Sequence, residues 1–437
     1  MDIIIAGAGG VGFRLAETLC SKHNVTVIDK NEDALNRLQE SIDILAIAGN
    51  IEDPKTYQML TDKDYGLFIA VTDIDEANII STLIAEETIE VKDKIIRLKN
   101  DFFAKSSIGE KLGISASVFP FSISATSVEA LLNFPKANNV KSFSNFTQKL
   151  ISVRAQSSLS YDEVISDTIK ITGIERDKIF FIPNSYENIQ KNDLIYLFGS
   201  ERDIKELCAA LEPEMPDEIK NIAIFGADVL GVEIAMQLSK HNINIKLMEK
   251  DLKRCENASD VLQENVAVIN SKYGDYQLFK DEGLKNADML IASTKNDEEN
   301  IIKCLEAKEY GIKKVVAINN DIKHYYLMHK LGIITVRGPK TNAYYSILEK
   351  ISSNSLISQR QYCGGKGILL SRKILKDSIL LDTKISPYKK DDACTFVVRE
   401  DKIQMFDENR TVEVGDVVVI FGLIKNEESL KKWISSL

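Results

Sequence analysis

Three glycines, Gly7, Gly9 and Gly12, are spaced G-x-G-x-x-G directly after the apolar run Ile3-Ile4-Ile5. That pattern can hold a pyrophosphate. The first glycine permits a tight turn, the second lets the backbone approach the phosphates without a Cβ in the way, and the third allows close packing of helix on strand. Gly10 and Val11 complete the turn, and a helix N-terminus there offers free N–H groups and a partial positive charge. An acid follows at the correct distance: Asp29 lies 17 positions past Gly12 at the end of a second apolar run. Its carboxylate can accept both hydroxyls of an adenosine ribose and would repel a 2′-phosphate, which favours NAD or an adenine nucleotide over NADP. Lys30 next to it softens that exclusion. The alternative for Asp29 is a cap on the helix that follows.

Further candidates fall where open α/β sheets bind ligands, at the carboxyl ends of strands. Gly49 and Asn50 end a third strand and are placed on the adenine side. Thr72, Asp73 and Glu76 follow a fourth, with Asp75 and Asn78 beside them. Thr72 could touch ligand directly, whereas Asp75 and Glu76 are equally explained as acids favoured at a helix N-terminus. Arg97 ends a fifth strand and suits a phosphate or carboxylate clamp; its alternative is a surface salt bridge.

The same module then starts again. Gly226-Ala-Asp228-Val-Leu-Gly231 follows the apolar run Ile222-Ala-Ile-Phe225. Glu249 stands where Asp29 stood, and the pattern T-x-x-D-E-x-N at 72–78 recurs at 294–300, beginning with Thr294. Asp193 to Gly199 likewise recurs as Asp416 to Gly422. Thr72 to Thr294 is 222 positions and Asp193 to Asp416 is 223. A period this long marks duplication of a whole module rather than a solenoid repeat. In the second copy Asp228 replaces the middle glycine, and a carboxylate there would oppose a pyrophosphate. The second fold is expected to persist with weak or absent dinucleotide affinity, so Gly226, Gly231, Glu249 and Thr294 form a doubtful second site.

Short apolar strands alternating with helical stretches predict parallel, doubly wound sheets. The fold class expected is α/β: two Rossmann-like parallel-sheet domains, each followed by a small α+β domain. The first Rossmann-like domain is placed at 1–134 and the first small domain at 140–212, after Pro135 and a Ser/Asn-rich run at 138–148. The second pair is placed at 220–348 and 355–437. Glu212-Pro-Glu-Met-Pro-Asp-Glu218 reads as an extended, solvated linker. The first small domain holds about 65–70 residues, near the lower practical limit for independent folding, so dimerisation would help it.

Composition excludes several classes. The chain has 437 residues and a net charge of -10, which argues against nonspecific nucleic-acid binding. Lys366, Arg372, Lys373 and Lys376 could form a local basic patch or simply a solvated face. Six scattered cysteines with no CxxC pair, and four dispersed histidines, point away from a metal site or disulfide framework and towards a reducing cytosol. No apolar run reaches the ~18 residues needed to cross a bilayer, and the N-terminus lacks the basic region of a signal peptide. The chain is therefore expected to be cytoplasmic, with no insertion into the membrane.

Taken together, the residues resemble the TrkA family of tandem RCK (KTN) domains, which regulate potassium uptake. The resemblance spans nearly the whole chain and rests on Gly7-x-Gly9-x-x-Gly12 with Asp29, the two T-x-x-D-E-x-N patterns and the D-x-x-x-x-x-G endings at 193–199 and 416–422. It implies small RCK C-terminal domains and a regulatory, non-enzymatic subunit, peripheral on the inner face of the cell membrane. The implied partner is an integral-membrane Trk/Ktr-type potassium transporter. It implies NAD(H), with ATP or ADP as alternative ligands, and a homo-oligomer, dimer or tetramer, forming an RCK ring. Gly7, Gly9, Gly12, Asp29, Thr72 and Arg97 take the binding roles. Asn50 departs from the Gly-Asp or similar pair often found there.

The alternative is an NAD-dependent oxidoreductase. It would need a proton-transfer residue facing the nicotinamide, and the small domains contain no histidine, since His23, His241, His324 and His329 all fall in the Rossmann-like parts. A redox-sensing DNA regulator would need a basic recognition module that the sequence lacks.

Overall fold

The computed structural model describes all residues except 101, 144–145, 185–186, 272–278, 280–281, 322–323, 353–356, 377–380, 382–385, 387, 389–391, 401 and 407–410. The expected boundary at 355 lies outside the described residues. The chain packs as two compact units. One comprises Met1–Ser124 with Gly338–Ile351, the other Ala125–Arg337 with Ser352–Leu437.

The first unit is built on a six-stranded parallel sheet of β1 (Asp2–Ala6), β2 (Asn24–Asp29), β3 (Leu45–Ala48), β4 (Tyr65–Ala70), β5 (Val91–Arg97) and β6 (Ala116–Val118). Its order is β3-β2-β1-β4-β5-β6, that of a dinucleotide-binding fold. Ile3, Ile4 and Ile5 are all fully buried because both faces of a parallel sheet are covered. Successive side chains point to opposite faces, so Ile3 and Ile5 join one core cluster while Ile4 and Ala6 join the other. The first cluster packs under helices α1 (Gly10–Leu19) and α2 (Glu32–Ser41). The second packs under α3 (Asp75–Thr88).

Helix α4 (Pro120–Asn133) leaves the sheet after β6. Its first turn belongs to the first unit and the remainder to the second. The first small sheet follows, with β7 (Asn139–Lys141), β8 (Lys149–Arg154), β9 (Ile169–Arg176), β10 (Ile179–Phe181) and β11 (Leu194–Gly199), closed by helix α5 (Glu201–Leu211). It is antiparallel, in the order β10-β9-β11-β8-β7. The expected solvated linker is a correction at its start. Glu212 is buried and accepts both bonds from Gln156 Nε2 at 2.9 Å. Lys136 Nζ donates to the carbonyls of Glu212, Pro213 and Met215. A lysine thus collects three backbone acceptors that two prolines leave without helical partners.

The duplicate parallel sheet has β12 (Asn221–Phe225), β13 (Asn244–Glu249), β14 (Val266–Asn270), β15 (Met289–Ala292), β16 (Lys314–Asn319) and β17 (Ile334–Arg337), in the order β14-β13-β12-β15-β16-β17. Helices α6 (Val229–Leu238), α7 (Leu252–Val261), α8 (Asp297–Glu309) and α9 (Tyr325–Lys330) lie between its strands. In this second unit α4 is fastened to α6: Glu129 receives His241 Nε2 at 2.6 Å and Gln237 Nε2 at 3.0 Å.

Helix α10 (Pro339–Ser352) follows β17 in sequence but packs in the first unit, where Ala343 and Ile347 enter the core beneath α1. Tyr344 places its ring 4.3 Å from the Arg14 guanidinium and its hydroxyl 2.8 Å from Thr18 Oγ1. The last sheet, β18 (Ile357–Tyr362), β19 (Gly367–Lys373), β20 (Ala393–Arg399), β21 (Lys402–Met405) and β22 (Val417–Leu423), is antiparallel and ends in helix α11 (Glu427–Ser435).

The two small sheets share one core. Phe198 meets Phe421 at 5.1 Å between ring centroids, Phe180 meets Tyr362 at 5.4 Å, and Tyr362 donates its hydroxyl to the Thr172 carbonyl at 2.9 Å. Small sheets of this size gain stability by sharing buried apolar area, and here the partner lies in the same chain. Of the four basic residues after Tyr362, Lys373 and Lys376 are exposed, and the other two are engaged. Lys366 pairs with Glu175 at 3.0 Å, and Arg372 donates to the carbonyls of Ile434 and Ser435 at the end of α11.

Candidate functional site

The strand order reverses direction between β1 and β4, and the glycine turn and Thr72 stand at the carboxyl ends of those two strands. That edge is where doubly wound sheets bind ligands. Gly7 has φ +113°, a backbone conformation that L side chains rarely adopt, and a Cβ there would lie 3.1 Å from Thr72 Cγ2. A Cβ on Gly12 would lie 1.8 Å from the Gly7 carbonyl oxygen, so the turn closes only with glycine. Gly9 is different: a Cβ there meets nothing within 4 Å. Its constraint is therefore not set by protein packing. Helix α1 begins at Gly10 and Val11 with no side-chain cap on its first amides.

Asp29 sits at the end of β2 and binds the turn directly. Its Oδ2 accepts from Ala8 N at 2.6 Å and its Oδ1 from Asn31 N at 2.8 Å. Helix α2 is capped by Asn31, whose side chain accepts from Ala34 N; the capping alternative for Asp29 therefore belongs to its neighbour. Lys30 is exposed. Gly49 N donates to the Asp29 carbonyl at 3.0 Å, and Asn50 folds its own loop, accepting from Glu52 N and, at its carbonyl, from Thr56 Oγ1.

The T-x-x-D-E-x-N pattern is explained bond by bond. Asn78 Oδ1 accepts from Thr72 N at 2.9 Å and from Thr72 Oγ1 at 2.7 Å, while its Nδ2 donates to the carbonyls of Thr72 and Arg97. Asp75 is buried and accepts from the amides of Lys99 and Asn100, which ties α3 to the loop after β5. Charge at a helix N-terminus is only part of its role. Glu76 is exposed.

Arg97 is buried, 5 % exposed, and so is not a surface salt bridge on its own side. Its Nη1 reaches Asp73 Oδ1 at 2.9 Å, and Nε has no hydrogen-bond partner. Lys99 Nζ stands 3.7 Å from the same carboxylate. Desolvation would raise the Asp73 carboxyl, but Arg97, Lys99 and Lys340 at the start of α10 outweigh it and hold it below the usual carboxylate range. Gly7, Gly9, Gly12, Asp29, Thr72, Asp73 and Arg97 thus converge on one edge of one sheet, whereas Glu76 and Lys30 face solvent beside it.

The second copy repeats this framework with changes of charge at three positions: Asp228 for Gly9, Lys295 for Asp73 and Ile318 for Arg97. Gly226 has φ +100°, and a Cβ on Gly231 would lie 1.7 Å from the Gly226 oxygen. Thr294 and Asn300 repeat the Thr72–Asn78 bonds at 2.9 and 2.8 Å. Asp297 repeats Asp75, accepting from the amides of Asn320 and Asp321. Glu249 Oε2 accepts from Ala227 N at 2.9 Å, as Asp29 does from Ala8, and its Oε1 takes the amides of Lys250 and Asp251; it is 1 % exposed. The first of these is Asp228. Its Oδ1 caps α6 by accepting from Val229 N at 2.9 Å, and its Oδ2 lies 2.6 Å from Lys295 Nζ. Burial would raise the Asp228 carboxyl, but Lys295 and the Val229 amide lower it on balance. Ile318 stands in the position of Arg97: its carbonyl receives Asn300 Nδ2 at 3.0 Å, as the Arg97 carbonyl receives Asn78 Nδ2.

Sequence reasoning missed two structural pairs. Asp193 and Asp416, noticed only as repeat markers, each receive a two-pronged arginine. Arg176 Nε and Nη2 reach Asp193 at 2.9 and 2.7 Å, and Arg399 does the same to Asp416 at 2.8 and 2.8 Å. The arginines recur with the acids at the same offset, and that signal was readable. Among the described residues no group of three or more His, Cys, Asp or Glu could hold a metal, and no helix is long and apolar enough to cross a membrane.

The comparisons with known proteins agree with the tandem fold. The TrkA-N domain model matches twice, at residues 3–120 and 222–339. Over 99% of its length the chain is 26% identical to "Trk system potassium uptake protein TrkA homolog 2" of Methanosarcina mazei, covering 99% of that protein. It is 25% identical to "Trk system potassium uptake protein TrkA" of Halomonas elongata, over 97% of this chain and 96% of the relative. In fold, the crystal structure of the GsuK RCK domain superposes with a TM-score of 0.64 at 15% identity, over 100% of this chain and 95% of the other. The GsuK channel bound to NAD gives the same TM-score, with 79% of that chain covered. With two copies of the domain spanning more than half its length, this chain belongs to the TrkA-N domain family.

Proposed function

We propose that this chain is a nucleotide-sensing regulatory subunit of a potassium uptake system, and that its first half holds the working sensor. The observation that carries the reading is the uncapped N-terminus of α1, open at Gly9 and Gly10, with the Asp29 carboxylate beside it at the switch point of the sheet. A helix N-terminus without a side-chain cap suits a pyrophosphate, and an acid at the end of the second strand suits a ribose. NAD(H) fits both stations, and ATP or ADP fits as an alternative; a solved relative in fold, GsuK, is described as bound to NAD and to ADP.

In this reading Gly7, Gly9, Gly10, Val11 and Gly12 cradle the phosphates and Asp29 takes the ribose hydroxyls. Gly49 and Asn50 flank the adenine. Thr72, Asp73 and Arg97 close the far side, Arg97 offering its unpaired Nε. The chain works on the cytoplasmic face, docked to an integral-membrane potassium transporter of the Trk/Ktr type, and assembles into a ring of such domains. The names of its relatives support that setting. Nucleotide shifts the ring only if it binds one arrangement better than another.

Calorimetric titration of the purified chain with NADH, NAD and ATP tests this. One site per chain is expected. Asp29→Ala should weaken it by about ten- to a hundredfold, the value of hydrogen bonds to a charged group. Absence of binding by all three nucleotides would sink the sensor reading, and steady consumption of NADH would redirect it towards an oxidoreductase.

A further inference from the structure

We propose that the second Rossmann-like half carries its own anion in place of a ligand's phosphate: Asp228, held on the N-terminus of α6 with Lys295 as its counter-cation. This inference rests on the nucleotide reading of the first half. The two halves offer the same frame. The glycine turns have the same left-handed first residue and the same closed third position. The acids Asp29 and Glu249 both bind the amide one residue past the first glycine. The Thr–Asn pairs repeat bond for bond. What differs is who sits on the helix N-terminus. Helix α1 has no side-chain cap, whereas α6 has its Val229 amide taken by Asp228 Oδ1 at 2.9 Å.

A carboxylate on a helix N-terminus makes the contact that a phosphate oxygen would make, with the same sign of charge and the same dipole to favour it. Lys295 completes the imitation from the loop after β15, 2.6 Å from Asp228 Oδ2. The equivalent loop residue in the first half, Asp73, has the opposite charge and turns to Arg97 and Lys99 instead. Position 9 of the first half thus leaves the phosphate station open to an outside ligand, and position 228 fills it from within. The ion pair joins the loop after β15 to the glycine turn. Only the first half then changes with nucleotide concentration.

The test is stoichiometry, measured by titration of NADH into the full chain and three variants. Glycine is a tolerated N-cap residue, so Asp228→Gly should leave the fold intact, to be checked by its melting temperature. It frees both the Val229 amide and the Lys295 ammonium, and should raise binding from one to two equivalents per chain. Lys295→Ala should gain nothing, because the carboxylate stays on the amide. Gly9→Asp, at a position with room for a side chain, should weaken the first site at least tenfold. Two equivalents in the unaltered chain would overturn the proposal, as would a gain with Lys295→Ala. So would an Asp228→Gly chain that binds no more than the unaltered one. If the unaltered chain binds none while Asp228→Gly binds one, the sensor reading of the first half fails and the proposal for the second stands.

Discussion

Asp29 performs two tasks with one carboxylate, pinning the glycine turn through Ala8 N and the next turn through Asn31 N. Its replacement therefore disturbs the frame as well as the ribose contact. Comparing Asp29→Asn with Asp29→Ala separates the two, since the amide keeps an acceptor for one backbone N–H but loses the charge. At the same scale, Arg176 neutralises Asp193, whose side chain is 1% exposed. Removing the arginine leaves a buried charge with, among the described residues, only the Gln190 amide for compensation. Arg176→Ala should cost about 3 kcal/mol of stability in urea unfolding. Arg399→Ala should cost less, because Arg399 is more exposed at 30% against 20%. Equal or negligible losses would contradict this account. The glycines and the acids at 29 and 249 were legible in the sequence because backbone geometry and charge restrict those positions to few residue types. The loop-tying role of Asp75 and Asp297 was not legible, since their partners are backbone amides of a loop more than twenty residues away.

At the scale of elements, alternating apolar runs located the strands well. The apolar run Ile3-Ile4-Ile5 lies in β1 (Asp2–Ala6) and the run Ile222-Ala-Ile-Phe225 in β12 (Asn221–Phe225). The third strand, Leu45–Ala48, ends just before Gly49; Ile42 ahead of it closes α2, its N–H donating to the Leu38 carbonyl. The docking of α10 in the first unit was not legible, because an amphipathic stripe declares that a helix will be covered but not by what. Lys314 was equally silent. It starts β16, is fully buried, and donates to the carbonyls of Pro135 and Ala137 at 2.6 and 2.9 Å. Burial pushes its ammonium down to about 7 from 10.5, against a smaller upward pull from Cys208 and Glu212. Below pH 7 the folded and unfolded chains both hold the proton, and the folded chain bears the cost of the buried charge. Between about 7 and 10.5 the unfolded chain keeps a proton that the folded chain has released, so stability rises with pH. The slope has a ceiling of about 1.4 kcal/mol per pH unit. Urea unfolding of the unaltered chain and Lys314→Met from pH 6 to 9 should show a gap that changes across this range. A constant gap would mean that Lys314 keeps its charge.

For the whole molecule, the discontinuity of the first unit matters most. Tyr344 fixes α10 to α1 through Arg14 and Thr18. Tyr344→Ala should weaken that unit by about 2 kcal/mol, a partly buried aromatic losing less than a fully buried one. Hydrogen exchange should then quicken in β1 to β5 and leave β12 to β17 unchanged; uniform loss of protection across both sheets would argue against a unit-specific role. The same discontinuity sets an order of events on the ribosome. The apolar surface around Leu15 and Ala16 is translated early, yet its cover, Ala343 and Ile347, is encoded after the entire second sheet. At about 5–20 residues per second, the nascent first sheet waits on the order of 10–45 s for its last helix. During that interval it presents a sticky, unfinished face to solvent, so a chain truncated before residue 338 should depend on chaperones in a way that the 437-residue chain does not.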